Sequence, residues 1–269
     1  MSEDRLYGIS QAWFALALLV AVLAVAELGW RWGRRRHSQA DDGERNQVSA
    51  ISAAVLGLLA LLIGFTFSMA VNRFDLRQGL VLEEANAIGT TALRAQLLQP
   101  AAEAEVVRLL RQYVQVRLNF HDAGIDERRL HAVNAQTAVV QQALWRVAMQ
   151  QARGGGNAAQ VNLFIMALND TIDLHGKRLA AMRNHVPPTV ILLLLLVTLG
   201  AVGLVAYGGG LHARRQLVAQ TVLAVLLVLA IMLIVDLDRP RRGLILVSQQ
   251  SMLDTQQELD AAVLPVAGD

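Results

Sequence analysis

The chain contains four long apolar stretches, at residues 12–30, 48–71, 189–207 and 217–235. Each is about as long as the roughly 20 residues that a helix needs to cross a hydrocarbon core about 30 Å thick, or longer. Two of them come early and two come late, with a long and more polar region between the pairs. We therefore predict an all-α protein with four transmembrane helices arranged as two hairpins.

The polar middle region, residues 72–186, has apolar positions spaced by three and four residues, as in amphipathic helices. Pro100 is tolerated in a first helical turn, and Asp126 and Asn157 are suitable N-caps for two further helices. Neither proline nor loop-like composition interrupts the chain where the second apolar stretch ends. The sequence therefore predicts a helical bundle inserted between the second and third spans, with the second span continuous with the bundle.

These predictions divide the chain into four parts. They are a first transmembrane hairpin at 1–71, the bundle at 72–186, a second hairpin at 187–237, and an interfacial segment with a short amphipathic helix at 238–269. Pro187 and Pro188 are expected to end the bundle. Gly208, Gly209 and Gly210 are expected to form the tight turn between the last two spans.

Small and polar residues mark one face of the second span and its extension, in GFTFSMAVNRFDLRQGLVLEEANAIGT at residues 64–90. They recur every three or four positions, so on a continuous helix they form one stripe. Inside a bilayer such a stripe has to face protein or water, because hydrocarbon cannot satisfy polar groups. Two interpretations are open, namely close helix packing or the lining of a water-filled path in an oligomer. Phe65 and Phe67 would then be ordinary packing residues or a hydrophobic constriction. The members of the stripe are Gly64, Ser68, Asn72, Asp75, Gly79, Glu83, Asn86 and Thr90, and Gly57 and Ala60 continue the row upstream into the bilayer.

Composition supports a membrane location. Of the 269 residues 54% are hydrophobic and 17% are charged, and the mean hydropathy of +0.40 is too high for an ordinary soluble domain. We expect a multi-pass protein whose partner is the lipid bilayer, with no nucleic-acid partner and no cofactor. Cysteine is absent, which excludes disulfides, thiolate nucleophiles and cysteine-ligated metals.

Charges that flank the spans bear on the orientation in the membrane. Arginines follow the first span closely, and the positive-inside rule favours a cytoplasmic location for that link. The bundle and the C-terminus would then lie outside the cytoplasm. Arg73, Arg183 and Arg239, on the other side of the spans, argue for the reverse. The arginines of the link are Arg31, Arg34, Arg35, Arg36 and Arg45.

A compact cluster of charges, in DLDRPRRG, follows the final span at residues 236–243. At a membrane interface such a cluster can bind lipid headgroups and form salt bridges to the bundle. The alternatives are an ion-attracting vestibule or a calcium site, although the chain has no loop of the EF-hand kind. The cluster comprises Asp236, Asp238, Arg239, Arg241 and Arg242.

Catalytic chemistry finds little support in the sequence. Glu83 and Glu84 are adjacent and point to different faces of a helix, so they do not form a preset acid–base pair. We expect Glu84 to pair with a bundle arginine such as Arg108 or Arg111. The six histidines lack close metal-ligand spacing, and the chain has neither a phosphate-binding loop nor a GxSxG motif. We predict that the protein is not an enzyme and has no catalytic residues and no metal site.

Three segments resemble a known family: NRFDLRQGLVLEEANAIGTTALRAQLL, RLLRQYVQVRL and DLDRPRRGLILVSQQSMLD. They look like the bacterial bestrophin-like membrane proteins, and the resemblance extends over about residues 49–253. It implies a location in the bacterial cytoplasmic (inner) membrane. Bestrophins are pentameric anion channels whose second span lines the pore, so Gly64, Phe65, Ser68 and Asn72 would be the matching pore stretch. Bestrophins also keep both termini and the inter-span domain in the cytoplasm, opposite to what charge favours here.

Two functions follow from these observations. In the first, the protein is a homo-oligomeric ion channel for small inorganic anions such as chloride, a pentamer by analogy, with the second spans around the axis. Arg73 would lie at the pore mouth and Arg77 would attract anions. In the second, it is a non-conducting membrane sensor or scaffold whose bundle binds a ligand or a partner protein.

Overall fold

The computed structural model describes residues 11–122, 126–155, 157–239 and 245–261. Within these ranges the chain forms helices and no strand, which confirms the predicted all-α class. The helices are α1 (Gln11–Arg36), α2 (Asp42–Ala95), α3 (Pro100–Asp122), α4 (Glu127–Arg153), α5 (Ala158–Arg183), α6 (Pro188–Leu211), α7 (Leu217–Asp238) and α8 (Gln250–Ala261).

Four long apolar segments lie in helices α1, α2, α6 and α7, and among the described residues these are the ones long and apolar enough to cross a membrane. The chain is a multi-pass membrane protein. Helix α2 has 54 residues and no break at Asn72, so the predicted continuation of the second span is confirmed. Pro187 is the N-cap of α6, where the sequence predicts the end of the bundle.

Internal contacts divide the chain into two compact units. The first comprises Met1–Arg73 and His185–Arg239, and it contains α1, α6, α7 and the N-terminal part of α2. The second comprises Phe74–Asn184 and Pro240–Asp269, and it contains the rest of α2 with α3, α4, α5 and α8.

Close approach of α1 to α6 organises the first unit. A Cβ atom built on Gly29 would lie 2.5 Å from the carbonyl oxygen of Gly203, and one built on Gly210 would overlap the backbone of Trp30. Only glycine allows backbones to come so near, as in other membrane helix pairs with small residues at the contact. The principal packing partner of the first span is therefore the third span.

The three consecutive glycines at residues 208–210 lie inside α6 and not in a turn. The expectation that Gly208, Gly209 and Gly210 form the turn between the last two spans is wrong, because α6 continues to Leu211. The turn comes after that residue and includes Ala213, which has a φ of 54°. The glycines are therefore helical residues, and Gly210 serves the packing of α1 against α6.

The second unit is a helical bundle with a shared apolar core. Helix α3 packs against α4 and α8, and α4 packs against α5. Asp126 caps α4 by accepting hydrogen bonds from the amides of Arg128 and Arg129, as predicted. Helix α8 buries Met252 and Leu259, which confirms the short C-terminal amphipathic helix packed on the bundle. The core includes Val81, Ile88, Val106, Leu110, Leu144, Phe164 and Leu168.

Candidate functional site

An uncovered face of α2 carries the stripe predicted from the sequence. Phe65 is 62% exposed and Phe67 is 39% exposed within the single chain. Among the described residues, no atom outside the helix backbone lies within 4 Å of a Cβ built on Gly57, Gly64 or Gly79. The glycines therefore do not serve helix packing inside one chain. The other exposed members are Ser68, Asn72, Asp75, Glu83, Asn86 and Thr90, and Gly79 is half-buried.

The opposite face of α2 is buried, which fixes the rotation of the helix. Leu59 and Ala70 face the interior of the first unit, and Val81 and Ile88 lie in the core of the second. Buried Thr66 satisfies its hydroxyl within the helix, by donating to the carbonyl oxygen of Leu62 at 2.7 Å. One side of α2 is thus committed to its own chain, and the small and polar side is left for other contacts.

The two arginines predicted at a pore mouth differ in their environment. Arg73 is half-buried, and its Nη1 donates to the carbonyl oxygen of Met69 at 3.4 Å. Arg77 is 2% exposed and donates to the carbonyl oxygens of Ala181 at 3.1 Å and Asn184 at 2.8 Å. These carbonyls belong to the C-terminal end of α5 and lack helical partners, so Arg77 acts as a cap there. We leave Arg77 out of the candidate pore.

A buried charge network anchors the extramembrane part of α2 to its neighbours. Glu84 is fully buried and accepts hydrogen bonds from the hydroxyl of Tyr113 at 2.7 Å and from Nε of Arg117 at 3.0 Å. Arg178 donates to the second carboxylate oxygen, and its other terminal nitrogen donates to Gln249 at 3.2 Å. The network joins α2, α3 and α5 and the segment just before α8.

This network contains two guanidinium groups and one carboxylate. Burial alone would raise the pKa of Glu84, but the charges of Arg117 and Arg178 and the Tyr113 hydrogen bond outweigh it and hold this pKa below its ordinary value. Burial and the Glu84 charge raise the pKa of Tyr113 well above 10. Burial and the nearby Arg117 charge lower the pKa of His175 to about 4. At neutral pH the network is therefore an ionised carboxylate between two cations, with a neutral tyrosine and a neutral histidine beside it.

The prediction that Glu84 pairs with Arg108 or Arg111 is wrong, because its partners are Arg117 and Arg178. Arg108 pairs with Glu105 on its own helix, and Arg111 pairs with Asp260 at 2.5 Å. A signal for the true partner was present, because Arg117 interrupts the apolar row of α3 four residues after Tyr113. A charged residue inside an apolar row is a candidate for a buried pair.

Three residues of the charged cluster after the last span are described, and all three are buried. Asp236, Asp238 and Arg239 are 3%, 1% and 5% exposed. Both carboxylate oxygens of Asp238 accept from the amide of Val186 at 3.0 Å, and His185 lies 3.6 Å away. Side chains buried in this way do not fit the predicted contact with lipid headgroups. Arg241 and Arg242 lie outside the described residues.

A groove opens between α2 and α5 in the second unit. It has a volume of about 370 Å³. Glu83 and Asn86 of the stripe form one wall, and Asp170, Asp173 and Lys177 form the other. Within the described residues none of its three carboxylates is engaged in an ion pair. With Lys177 as the cation in the lining, three carboxylates against one ammonium leave the groove with net negative charge.

Comparison with known proteins gives one family and two similar structures. A family model described as the Bestrophin-like domain matches residues 18–252. A point mutant of a bacterial bestrophin homolog from Klebsiella pneumoniae has a TM-score of 0.67 at 15% identity, covering 91% of this chain and 96% of that chain. A point mutant of a protein described only as a membrane protein has a TM-score of 0.65 at 16% identity, covering 93% and 97%. No curated protein matches the chain. At such low identities the two structures show a shared fold.

Proposed function

The chain belongs to the bestrophin-like family, and from that premise we propose that it forms a homo-oligomeric ion channel in which the second span lines the pore. The observation that carries the proposal is the uncovered face of α2. Its small and polar residues run from the apolar part of the helix into the bundle, and within one chain nothing described packs on the glycines among them.

A ring of copies would give the polar side chains of this face water or one another as hydrogen-bond partners. Ser68 and Asn72 are exposed on a helix that crosses a membrane, where lipid offers no hydrogen-bond partners. If the α2 helices surround a common axis, both side chains face water or one another. Phe65 and Phe67 would then narrow the path, as hydrophobic constrictions do in other channels.

The ion that passes is a separate question. The family resemblance favours small anions, with Arg73 at the pore mouth. The exposed charges on the extramembrane part of the stripe are acidic, namely Asp75 and Glu83, and Arg77 is buried. Rings of carboxylates are typical of cation channels. We therefore keep cation conduction as a second candidate, and this specific arrangement of charges supports it.

Flux through liposomes tests the channel. Purified protein should carry ions down a potassium chloride gradient, and the sign of the reversal potential tells cations from anions. Replacing Phe65 and Phe67 by alanine should widen the constriction and raise the flux. Leu226→Ala is the matched control, because Leu226 is an exposed apolar residue of α7. An intact oligomer without flux would remove the channel and favour the sensor or scaffold.

The orientation has its own test. Flanking charge favours a bundle and a C-terminus outside the cytoplasm, and we carry that orientation forward as part of the proposal. A reporter that is active only in the cytoplasm, fused after Asp269, should stay inactive. An active reporter would reverse the orientation and leave the channel proposal as it stands.

A further inference from the structure

Helix α1 packs on α6 with one side and leaves its other side largely uncovered by the described residues. Leu18, Val22 and Ala26 on the packed side are buried, and Gly29 and Gly33 there meet the backbone of α6. The large apolar side chains on the other side are 37–68% exposed. We call them the outer face of α1, and they comprise Trp13, Leu16, Val20, Leu23, Leu28 and Trp32.

The C-terminal end of the outer face has the chemical order of a phospholipid. Leu28, Trp32 and Arg35 follow one another at spacings of four and three residues, so they form one row along the helix. At a rise of about 1.5 Å per residue, the row runs from an aliphatic side chain through an indole to a guanidinium group. Trp32 also meets the ring of Tyr207 on α6, with the ring centroids 5.7 Å apart, so two amphipathic rings share this level. Such rings favour the membrane interface, which places Arg35 at the depth of the phosphate groups.

Arginine is in excess at this end of the first unit. Glu27 is already engaged, because it pairs with Arg31 at 2.8 Å and with Arg215 of the α6–α7 turn at 3.0 Å. Within residues 27–45 and 212–216 seven arginines stand against four carboxylates, which leaves three positive charges in excess. This excess attracts anions from outside the chain. The arginines that are exposed and form no ion pair in the described part of the chain are Arg34, Arg35, Arg36 and Arg214.

The fold brings these four arginines together from two segments. A Cβ atom built on Gly210 would lie 2.7 Å from the amide nitrogen of Arg34. Four residues after Gly210, the amide of Arg214 donates to the carbonyl oxygen of Gly209 at 3.2 Å. The backbone segments that carry Arg34 and Arg214 are thus close neighbours. Guanidinium groups from α1 and from the turn can therefore bind the same phosphate or adjacent ones.

This surface differs from the headgroup contact that the sequence predicts. The charged cluster at residues 236–243 follows the C-terminal end of α7, whereas the four arginines lie near the other end of that helix, at Leu217. The described charges of the cluster are buried, and the four arginines are exposed. Headgroup binding therefore fits the arginines and not the cluster.

We propose that this end of the first unit binds anionic phospholipids. The phosphate accepts hydrogen bonds from the four unpaired guanidinium groups, and an acyl chain lies against Leu28 and Trp32. A zwitterionic lipid offers the same phosphate but brings its own cation, so the excess of arginine selects lipids with net negative charge, such as phosphatidylglycerol. A soluble polyanion would gain nothing from the exposed indole and aliphatic side chains. The inference uses only the first unit and its membrane spans, so it goes beyond the proposed channel and does not depend on it.

Lipid competition at a single tryptophan tests the surface. The variant Trp13→Phe, Trp30→Phe and Trp145→Phe keeps Trp32 as the sole tryptophan, and phenylalanine retains a ring beneath Arg215. The full chain is reconstituted in brominated phosphatidylcholine, which quenches an indole that it contacts. Replacing part of this lipid by unbrominated phosphatidylglycerol should restore several-fold more fluorescence than replacing the same part by unbrominated phosphatidylcholine. Equal recovery with the two lipids would overturn the proposal.

The matched control places the tryptophan near the other end of α1. Trp13 is 68% exposed there, and residues 1–10 carry one arginine against two carboxylates. With Trp13 as the sole tryptophan, the two unbrominated lipids should restore equal fluorescence. A preference for phosphatidylglycerol at both ends would mean that the arginines do not select the lipid, and it would overturn the assignment.

Removal of charge identifies the groups that bind. Replacing the four arginines together by glutamine should abolish the preference at Trp32, and replacing them together by lysine should keep most of it, because lysine also binds phosphate. A preference that survives in the glutamine variant would contradict the proposal. The control removes four exposed arginines of α4 in the second unit and should leave the preference unchanged. Its substitutions are Arg128→Gln, Arg129→Gln, Arg146→Gln and Arg153→Gln.

The lipid preference and the ion flux are separate measurements, so the two proposals fail independently. A chain that conducts but shows no lipid preference overturns the lipid surface and leaves the channel. A lipid preference without ion flux keeps the lipid surface and removes the channel.

Discussion

Replacing Glu84 by glutamine would remove the charge that holds two buried arginines. The carboxylate and Arg117 are fully buried, and Arg178 is 2% exposed. Glutamine keeps the shape and one acceptor oxygen, but both guanidinium groups lose their counter-charge in a site that water does not reach. Removing one partner of a buried ion pair costs about 3–5 kcal/mol. At roughly 2–4 °C per kcal/mol for a chain of this size, the midpoint of thermal unfolding should fall by about 10 °C.

Thermal unfolding of the full chain in detergent at pH 7, followed by tryptophan fluorescence, measures this loss. The pH matters because the pKa of Glu84 is held below its ordinary value of 4.5, so its contribution is complete above that pH and is lost as the pH falls through the lowered value. Glu83→Gln is the control, since Glu83 is the exposed neighbour, and its effect should stay within about 0.5 kcal/mol.

The reasoning would be refuted if Glu84→Gln lowered the midpoint no more than Glu83→Gln. A second variant separates loss of charge from loss of packing. Glu84→Leu combined with Arg117→Met and Arg178→Met removes the whole network and should be much less destabilised than Glu84→Gln, because no unpaired charge remains. If the triple variant is instead the less stable of the two, the assumption that apolar side chains can fill this site without strain is wrong. The argument from charge balance is then tested by the comparison of Glu84→Gln with Glu83→Gln alone.

The remaining predictions use the same unfolding assay. Gly210→Ala should destabilise by about 1–3 kcal/mol because its Cβ would meet the backbone of α1, whereas Gly200→Ala in the same helix has open space and should be neutral or mildly stabilising. Asp238→Ala should cost about 1–3 kcal/mol, since the buried amide that it caps loses its acceptor, and no loss would show that water replaces the carboxylate. Burial, with a neighbouring arginine charge, lowers the pKa of His175 to about 4 from 6.5, so the unfolded chain takes up the proton first and stability should fall as the pH drops across that window. His175→Asn should flatten this pH dependence, and an equal flattening by His131→Asn on the surface would contradict the assignment.

Local patterns in the sequence were enough to predict the helices and the stripe on α2. Runs of apolar residues about as long as a bilayer is thick gave the four spans, because their length and hydropathy are properties of the sequence itself. The N-cap at Asp126 could also be predicted from the sequence, because an N-cap side chain accepts hydrogen bonds from amides only two and three positions away. The three-and-four spacing of small and polar residues placed the stripe on one side of α2, and the structure leaves that side uncovered.

Contacts between residues far apart in the chain could not be predicted from such local patterns. Glu84 meets Arg178 across 94 positions, and the local spacing that suggested Arg108 or Arg111 carries no information about which helices become neighbours. The role of Arg77 was equally hard to predict from the sequence. An arginine next to a membrane span can line a pore mouth, or it can cap a helix that ends more than one hundred residues later, as Arg77 does.

The sequence by itself determined where the helices are and which side of each is apolar, because both follow from periodicity and hydropathy along a continuous segment. Only the tertiary structure decided which charges are paired inside and which face outward. The physical reason is that the environment of a charge is set by whatever packs against it, and for Glu84, Arg77 and Gly210 the packing partners come from distant parts of the chain.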